Sequence, residues 1–367
     1  MSWQDGMRSE PHQQRSGSKD MTTHVKPSLR LATRDNGRRD GELVLVSADQ
    51  RRCRAMPDIA ATLQDALDDW RAVAPRLVQM THELEATGWA SGDRFDAAAC
   101  LAPLPRAYQW VDASVYRHHA QLMYRWRNEP IPAGYEDTPL VYQGGSDVML
   151  AGTAPIEATD TAFDVDFEAE IAVITTDVPL GATLQQAIDS IALVVLLNDV
   201  SLRGLIPSEL ARGFGFYQSK PATSFAPIAV TPAALGAAWR GEMLHLPVRI
   251  ELNGKWFGSP EAGEDTVFNF GQIIVHLART RALSAGSIIG AGTISNADPA
   301  AGSACVTEAR IRQSLAGMSK LQPYLSHGDR VSIEVLDPHG YSPFGAIHQR
   351  VIIRDKASPN TPDIAIV

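Results

Sequence analysis

The sequence has few cysteines, no long apolar run and no excess of positive charge. Its three cysteines, Cys53, Cys100 and Cys305, are odd in number and widely spaced, which excludes a disulfide framework and a paired-cysteine metal site. We therefore expect reduced thiols in a cytoplasmic protein. The longest purely apolar run, Ile191 to Leu197, is far shorter than the roughly 20 residues of a bilayer-spanning helix. No membrane association is predicted.

The charge balance makes nucleic acid a poor candidate partner. The chain carries 33 basic and 42 acidic residues, a formal charge of −9, whereas binding a phosphate backbone requires a basic face. Several familiar catalytic motifs are also missing from the sequence, namely the P-loop, HExxH and GxSxG. Gly290-Ala-Gly292 is not a dinucleotide fingerprint, because Ser295 stands where its third glycine would be.

What the sequence does contain is the composition of a globular protein, with 44% hydrophobic and 20% charged residues. The chain divides by pattern into three parts. Residues 1–26 hold too few apolar side chains to fold and are predicted to be a disordered extension. Residues 27–98 predict a small α+β domain, with a strand at residues 42–47 and a helix that begins after Asp58. Residues 99–367 predict a larger domain of many short strands.

The strand signals indicate an α+β fold that is mostly β. Within residues 163–173 every odd-numbered position is apolar and the even-numbered positions from 164 to 170 are acidic, which predicts a strand with one apolar and one acidic face. Asn253-Gly254 is the preferred dipeptide of a tight hairpin, and residues 330–336 and 346–353 predict two further strands. Helices do not alternate regularly with strands, so a doubly wound sheet is not indicated.

The acidic strand face carries Asp164, Asp166, Glu168 and Glu170. One interpretation is an ordinary solvated strand face. The other is a metal site, because Asp199 follows the most apolar run of the chain and a buried aspartate needs a partner or a cation. Converging carboxylates suit a hard divalent ion such as Mg²⁺ or Ca²⁺.

Other candidate groups lie on both sides of this strand. Downstream, Arg203 and Lys220 are either surface cations or groups that hold an anionic substrate beside the metal. Upstream, Asp112 precedes the adjacent pair His118 and His119. Adjacent histidines do not share a face of a helix or a strand, so at most one of them is expected to act as a general base.

Together these residues resemble the fumarylacetoacetate hydrolase family. The resemblance covers about residues 100–350 and rests on the following segments: Asp166-Phe-Glu-Ala-Glu-Ile-Ala-Val173, Leu197-Asn-Asp-Val-Ser-Leu-Arg203, Ser219-Lys-Pro221, Asn253-Gly254 and Gly290-Ala-Gly-Thr-Ile-Ser295. It implies a mixed β-sandwich roll or distorted β-barrel for the C-terminal domain, preceded by the small α+β domain. It also implies one Mg²⁺ or Ca²⁺ per site and a homodimer.

The resemblance assigns roles to particular residues. The metal ligands would be Asp112, Glu168, Glu170 and Asp199. His119, seven residues after Asp112, would be the base, and Glu308 would orient it. Arg203 and Lys220 would hold the substrate and support catalysis, while Tyr142 and Thr293 would also contact the substrate. Two positions depart from the fumarylacetoacetase branch, which has a tyrosine where this chain has Ser114 and a glutamine near Ile206-Pro207.

The expected activity is metal-dependent hydrolysis of a carbon–carbon bond in a small β-diketo acid of the fumarylacetoacetate or acylpyruvate type, as in aromatic amino acid catabolism. His119 would activate the attacking water. Two alternatives remain open. One is a 2-keto-4-pentenoate hydratase or an oxaloacetate-type decarboxylase, and the other is a non-catalytic protein with a structural cation site.

Overall fold

The computed structural model describes residues 28–354, so the predicted extension at residues 1–26 lies outside the described residues. The strands are short and numerous. In chain order they are β1 Arg30–Arg34, β2 Glu42–Val46, β3 Arg52–Ala55, β4 Asp93–Arg94, β5 Gln109–Ala113, β6 Val141–Gly144, β7 Leu150–Ala151, β8 Ile156–Ala158, β9 Val165–Asp166, β10 Ala169–Thr175, β11 Ile191–Asn198, β12 Ser201–Leu202, β13 Ser224–Phe225, β14 Ile228–Val230, β15 Trp239–Arg240, β16 Met243–Leu244, β17 Val248–Leu252, β18 Lys255–Gly258, β19 Ser287–Gly290, β20 Arg330–Val335 and β21 Ala346–Ile353.

The α-helices lie between these strands. They are α1 Leu63–Asp68, α2 Trp70–Ala86, α3 Arg117–Trp126, α4 Leu184–Asp189, α5 Ile206–Leu210, α6 Phe270–Leu277 and α7 Val306–Leu315. The first helix begins at Leu63, so the prediction that it follows Asp58 was wrong. Thr62 and Asp65 form a capping box there, which satisfies two of the free N–H groups at the helix start. Within residues 28–354, no helix combines the length and apolarity of a bilayer crossing.

Two main sheets organise the molecule. A mixed twelve-stranded sheet has the order β4-β3-β2-β1-β14-β11-β10-β19-β5-β6, with β13 and β7 attached beside β11. A five-stranded sheet has the order β18-β17-β20-β21-β8. The large sheet ends at β4 and β6, so these two sheets form a roll and not a closed barrel over the described residues. This confirms the predicted α+β, mostly β class.

The large sheet is buried on both of its faces. Val173 and Leu196 belong to the core shared with the five-stranded sheet, in which Ile333 and Ile347 also lie. On the other face, Ile174, Val195 and similar side chains pack with α1 and α2. Strands β10 and β11 are therefore covered on both sides, and the charged groups at their ends are held in a rigid frame.

The predicted hairpin at Asn253-Gly254 is confirmed. The two residues join β17 to β18 and both have positive φ, 55° and 72° respectively, as a two-residue turn of this kind requires. The alternating segment 163–173 differs from its prediction, because it divides into β9 and β10. Asp164 has a left-handed backbone with φ 53° and leaves the acidic face. The remaining carboxylates of that face are buried, not solvated.

Candidate active site

Three buried carboxylates converge from three strands of the large sheet. Asp112 lies on β5, Glu170 on β10, and Asp199 directly after β11. Strands β10 and β11 are antiparallel, so the beginning of one lies beside the end of the other. One oxygen from each carboxylate lies within 4.8 Å of the other two, and we call this set the acidic triad.

Gly290 makes this convergence possible. It lies on β19, which separates β5 from β10, and it is in register with Asp112 on one side and Ala172 on the other. A Cβ atom at this position would come within 2.3 Å of Asp112 Oδ1. Because glycine has no Cβ atom, the space beside β19 stays open and the carboxylate of Asp112 can approach Glu170.

The acidic triad fits a hard divalent cation. Asp112 Oδ1 and both oxygens of Glu170 are buried and have no hydrogen-bond partner among the described residues. Such unpaired buried oxygens are costly unless they bind a proton or a cation. All ligand atoms in the triad are carboxylate oxygens, which Mg²⁺ and Ca²⁺ prefer and which zinc sites seldom use alone.

The pKa shifts of the triad carboxyl groups also favour a cation site. Burial, followed by the charge of Asp199, raises the pKa of Asp112 well above its ordinary value. Burial and the charges of Asp112 and Asp199 do the same to the pKa of Glu170. Without a cation the triad therefore holds protons that a metal ion would displace.

These raised pKa values predict how the stability of the metal-free protein depends on pH. Because the folded-state pKa values exceed those of the unfolded chain, their contribution to stability is complete below the unfolded values. It is lost as pH rises through the folded ones. We expect the Tm of EDTA-treated protein to fall as the pH rises above about 4, the ordinary pKa of a carboxyl group. Glu170→Gln should show a shallower fall in the same thermal-melt series, and equal slopes for the two proteins would contradict the prediction.

Glu168 lies beside the triad, with both of its oxygens on cations. Its Oε1 accepts from Arg203 Nη2 at 2.5 Å, and its Oε2 accepts from Lys220 Nζ at 2.6 Å. Burial raises the pKa of Glu168, but the charges of Lys220 and Arg203 outweigh this and hold the pKa below its ordinary value. Glu168 is thus an anion that anchors both predicted substrate-side cations. Its role as a metal ligand stays a prediction.

Lys220 also reaches the acidic triad, because its Nζ lies 2.6 Å from Asp199 Oδ2. The same Asp199 oxygen accepts a short hydrogen bond from the hydroxyl of Tyr142, and Oδ1 accepts from Thr223 Oγ1 at 2.8 Å. Burial lowers the pKa of Lys220, but the charges of Asp199 and Glu168 raise it above its ordinary value. Lys220 is therefore a permanent cation at neutral pH.

Asp166 connects the acidic strand to helix α7. Its carboxylate accepts from Arg203 Nε at 2.9 Å and from the backbone N–H groups of Val306 and Thr307 at 2.7 and 2.9 Å. Free N–H groups at a helix start favour such an anion. Asp166 therefore fixes both Arg203 and the helix that carries Glu308.

Glu308 forms the predicted pair with His119. His119 lies on α3, and its Nδ1 is 3.2 Å from Glu308 Oε2. Arg312, one turn further along α7, donates from Nε to Glu308 Oε1 at 3.0 Å and from Nη2 to the carbonyl of Asn296. Burial raises the pKa of Glu308, but the hydrogen bond and charge of His119 and the charge of Arg312 lower it overall. An ionised Glu308 favours the tautomer with hydrogen on Nδ1, which leaves Nε2 as the basic atom.

Arg312 should act as a positioning residue for this pair. We expect Arg312→Met to lower kcat about tenfold and leave KM nearly unchanged, because Arg312 holds Glu308 and does not line the cavity. Arg312→Lys should restore part of the loss. Steady-state kinetics with Arg310→Met provide the control, since Arg310 lies on the same helix but rests over the Tyr324 ring. Equal losses in the two methionine variants would contradict this role.

A cavity of about 280 Å³ opens onto these groups. Seven of the site residues predicted from the sequence line this cavity: Asp112, His119, Tyr142, Glu168, Arg203, Lys220 and Thr293. Ser114 and Ile206, the two positions that depart from the fumarylacetoacetase pattern, line it as well. His118 is not among the lining residues. Burial and the charge of Arg312 lower its pKa, and its Nε2 is buried without a partner among the described residues.

Sequence reasoning missed four residues that shape this site: Thr223, Gly290, Arg312 and Gln349. Gln349 is buried, and its Oε1 accepts from Asn198 Nδ2 at 2.8 Å. The side chain of Asn198 in turn accepts from the backbone N–H of Glu168. A glutamine inside the alternating strand 346–353 was an available signal, because it stands at a position where that pattern expects an apolar residue.

Two family models match successive parts of the chain. Residues 29–106 match the model described as "Fumarylacetoacetase N-terminal domain 2". Residues 108–352 match the model described as "Fumarylacetoacetate (FAA) hydrolase C-terminal". A comparison with curated protein sequences gave no match.

Solved structures share the fold at low sequence identity. A fumarylacetoacetate hydrolase from Exiguobacterium antarcticum has a TM-score of 0.61 and 17% identity, covering 89% of this chain and 100% of its own. A maleylpyruvate hydrolase from a Sphingobium species, solved with manganese(II) ion and pyruvate, has a TM-score of 0.57 and 15% identity over 88% and 99%. A 2-hydroxyhepta-2,4-diene-1,7-dioate isomerase from Mycobacterium marinum has a TM-score of 0.56 and 17% identity over 90% and 100%.

Proposed function

The chain belongs to the fumarylacetoacetate hydrolase family, and we propose that it is a metal-dependent hydrolase of acylpyruvate-type β-diketo acids. One observation carries the proposal: Asp112, from the triad of buried carboxylates, and His119, from the His–Glu pair, line the same cavity. A structural cation site would need the first of these but not the second. The maleylpyruvate hydrolase solved with manganese(II) ion and pyruvate supports the same class of chemistry.

Asp112, Glu170 and Asp199 would hold one Mg²⁺ or Ca²⁺ ion, with Glu168 as the fourth candidate ligand. Such an ion supplies Lewis-acid stabilisation of the enolate that leaves when the carbon–carbon bond breaks. The protein groups divide the remaining work. His119 accepts a proton from water at Nε2, while Glu308 accepts a hydrogen bond from Nδ1. The two cations Arg203 and Lys220 bind the carboxylate of the substrate.

Lys220 is better suited to charge stabilisation than to proton donation. Its ammonium group lies 2.6 Å from both Glu168 and Asp199, and its pKa is raised. A proton held this firmly is a poor acid. The leaving carbon therefore takes up the proton that His119 removed from water, or one from solvent.

The decisive experiment is turnover of an acylpyruvate in H₂¹⁸O with added Mg²⁺. We expect two acids as products, ¹⁸O in the carboxylate formed from the acyl group, and loss of turnover on addition of EDTA. Release of CO₂ from oxaloacetate without diketone cleavage would favour the decarboxylase. Water addition to 2-keto-4-pentenoate would favour the hydratase. A folded protein that binds Mg²⁺ but turns over none of these would favour a structural cation site.

A further inference from the structure

One side of the cavity is apolar, and this property bears on which acyl group the enzyme accepts. This apolar side, which we call the acyl wall, consists of five lining residues: Met123, Leu140, Ile206, Leu210 and Phe216. We propose that the acyl wall selects substrates whose acyl substituent is a short uncharged aliphatic chain and rejects those that end in a carboxylate. This inference rests on the proposed acylpyruvate hydrolysis.

The acyl wall is built from four chain segments, one of which is Leu140, directly before β6. Ile206 and Leu210 are one helical turn apart on α5, so both face the cavity. Met123 lies one turn after His119 on α3 and extends the wall from the catalytic histidine outward. Phe216 completes it, with its ring 5.2 Å from the ring of Tyr142 in an edge-on contact.

The charged groups that line the cavity are committed elsewhere. Arg203 and Lys220 are both bound to Glu168, and Lys220 also contacts Asp199 of the acidic triad, so they would receive the carboxylate next to the diketone on that side of the cavity. Among the other described lining residues the one permanent cation is Arg127, at the exposed end of α3. Arg127 lies about two helical turns after His119, and its guanidinium is 5.8 Å from the centre of the Tyr124 ring. A second substrate carboxylate against the acyl wall would have no partner there, and an unpaired charge on apolar surface is strongly unfavourable.

Cleavage of the preferred substrate consumes one water. The water oxygen bonds to C4 of the 2,4-dioxo acid, the C3–C4 bond breaks, and C3 takes up one proton. The products are a fatty acid from the acyl chain and pyruvate. The apolar chain keeps its contacts with the acyl wall throughout this step, so the wall affects selection of the substrate without taking part in the chemistry.

The test compares 2,4-dioxooctanoate with 2,4-dioxooctanedioate, which have the same carbon count and differ in a terminal methyl or carboxylate group. We expect kcat/KM of the Mg²⁺-loaded protein to be about 100-fold higher for the monoacid. Equilibrium binding to Mg²⁺-loaded His119→Gln should favour the monoacid in the same sense. Ile206→Lys and Leu210→Lys should each reduce the preference at least about tenfold, because each places a cation in the acyl wall. Leu180→Lys, at an exposed leucine outside the cavity, is the matched control.

The outcomes separate the two proposals. Preference for the diacid, abolished by Arg127→Gln, would overturn the inference and leave the hydrolase standing. A monoacid preference that neither lysine variant changes would also overturn it, since the acyl wall would then not be its cause. If neither compound is cleaved but the monoacid binds more tightly and both lysine variants remove this difference, the hydrolase proposal fails. The acyl wall then stands as the binding site for apolar chains.

Discussion

Glu170→Ala is expected to lower turnover about 10³-fold or more while the protein stays folded. Both carboxylate oxygens of Glu170 are buried without a partner among the described residues, so under the proposed function its removal would take a ligand from the cation. The same change relieves repulsion with Asp112 and Asp199, and the Tm of the metal-free variant should equal or exceed that of the metal-free wild type at pH 8. Kinetics and thermal melts with a Mg²⁺ titration measure both effects.

Added Mg²⁺ should raise the Tm of the wild type but not that of this variant, because a ligand raises Tm only when it binds the folded protein. Glu157→Ala provides a control. Glu157 lies on β8 in the five-stranded sheet, and its exposed side chain forms an ion pair with Arg354. That control should change stability by less than about 1 kcal/mol and leave activity intact. A Glu170→Ala protein that keeps its Mg²⁺-dependent turnover would show that the triad is not the metal centre.

His119→Gln is expected to lower kcat by about 10²–10⁴-fold with little effect on Mg²⁺ binding. The imidazole lines the cavity and is oriented by Glu308, so its loss removes the base without removing any triad carboxylate. Steady-state kinetics and a Mg²⁺ titration followed by Tm distinguish these two quantities.

His118→Gln is the matched control for this variant. His118 precedes His119 on α3 but does not line the cavity, and its lowered pKa keeps it neutral. We expect kcat to change by less than about threefold, with any loss appearing in stability. Comparable losses of kcat in the two variants would refute the assignment of His119 as the base.

Local sequence patterns predicted those parts of the molecule that depend on local chemistry. The Asn253-Gly254 hairpin was predictable because only a few dipeptides adopt positive φ at two successive positions. Asp199 was predictable as a buried carboxylate because it lies two residues after the end of the seven-residue apolar run 191–197. The start of α1 was missed because the capping box of Thr62 and Asp65 outweighs an aspartate four residues earlier.

The parts that local patterns could not predict depend on contacts between distant segments. Alternation placed Asp166, Glu168 and Glu170 on one strand face, but it could not say which of them binds a helix start, which binds two cations and which stays unpaired. These three roles depend on where the fold places Arg203, Lys220 and the start of α7 relative to the strand. The sequence assigned Gly290 to a failed nucleotide motif and to a family segment, but not to the space beside Asp112, because that role depends on the register of β19 between β5 and β10.

The pairing of β1 with β14 has a consequence for how the protein is made. Arg30 lies opposite Val230, so two strands about 200 residues apart in sequence are neighbours in the large sheet. At a synthesis rate of 5–20 residues per second, β1 leaves the ribosome roughly 10–40 s before its partner exists. During that interval β1 can pair only with β2, which in turn pairs with β3, and the edge of β1 that β14 later covers keeps its backbone N–H and C=O groups open to solvent. We therefore expect the nascent chain to depend on chaperones until β14 emerges, and refolding of the full-length chain to be limited by this long-range closure.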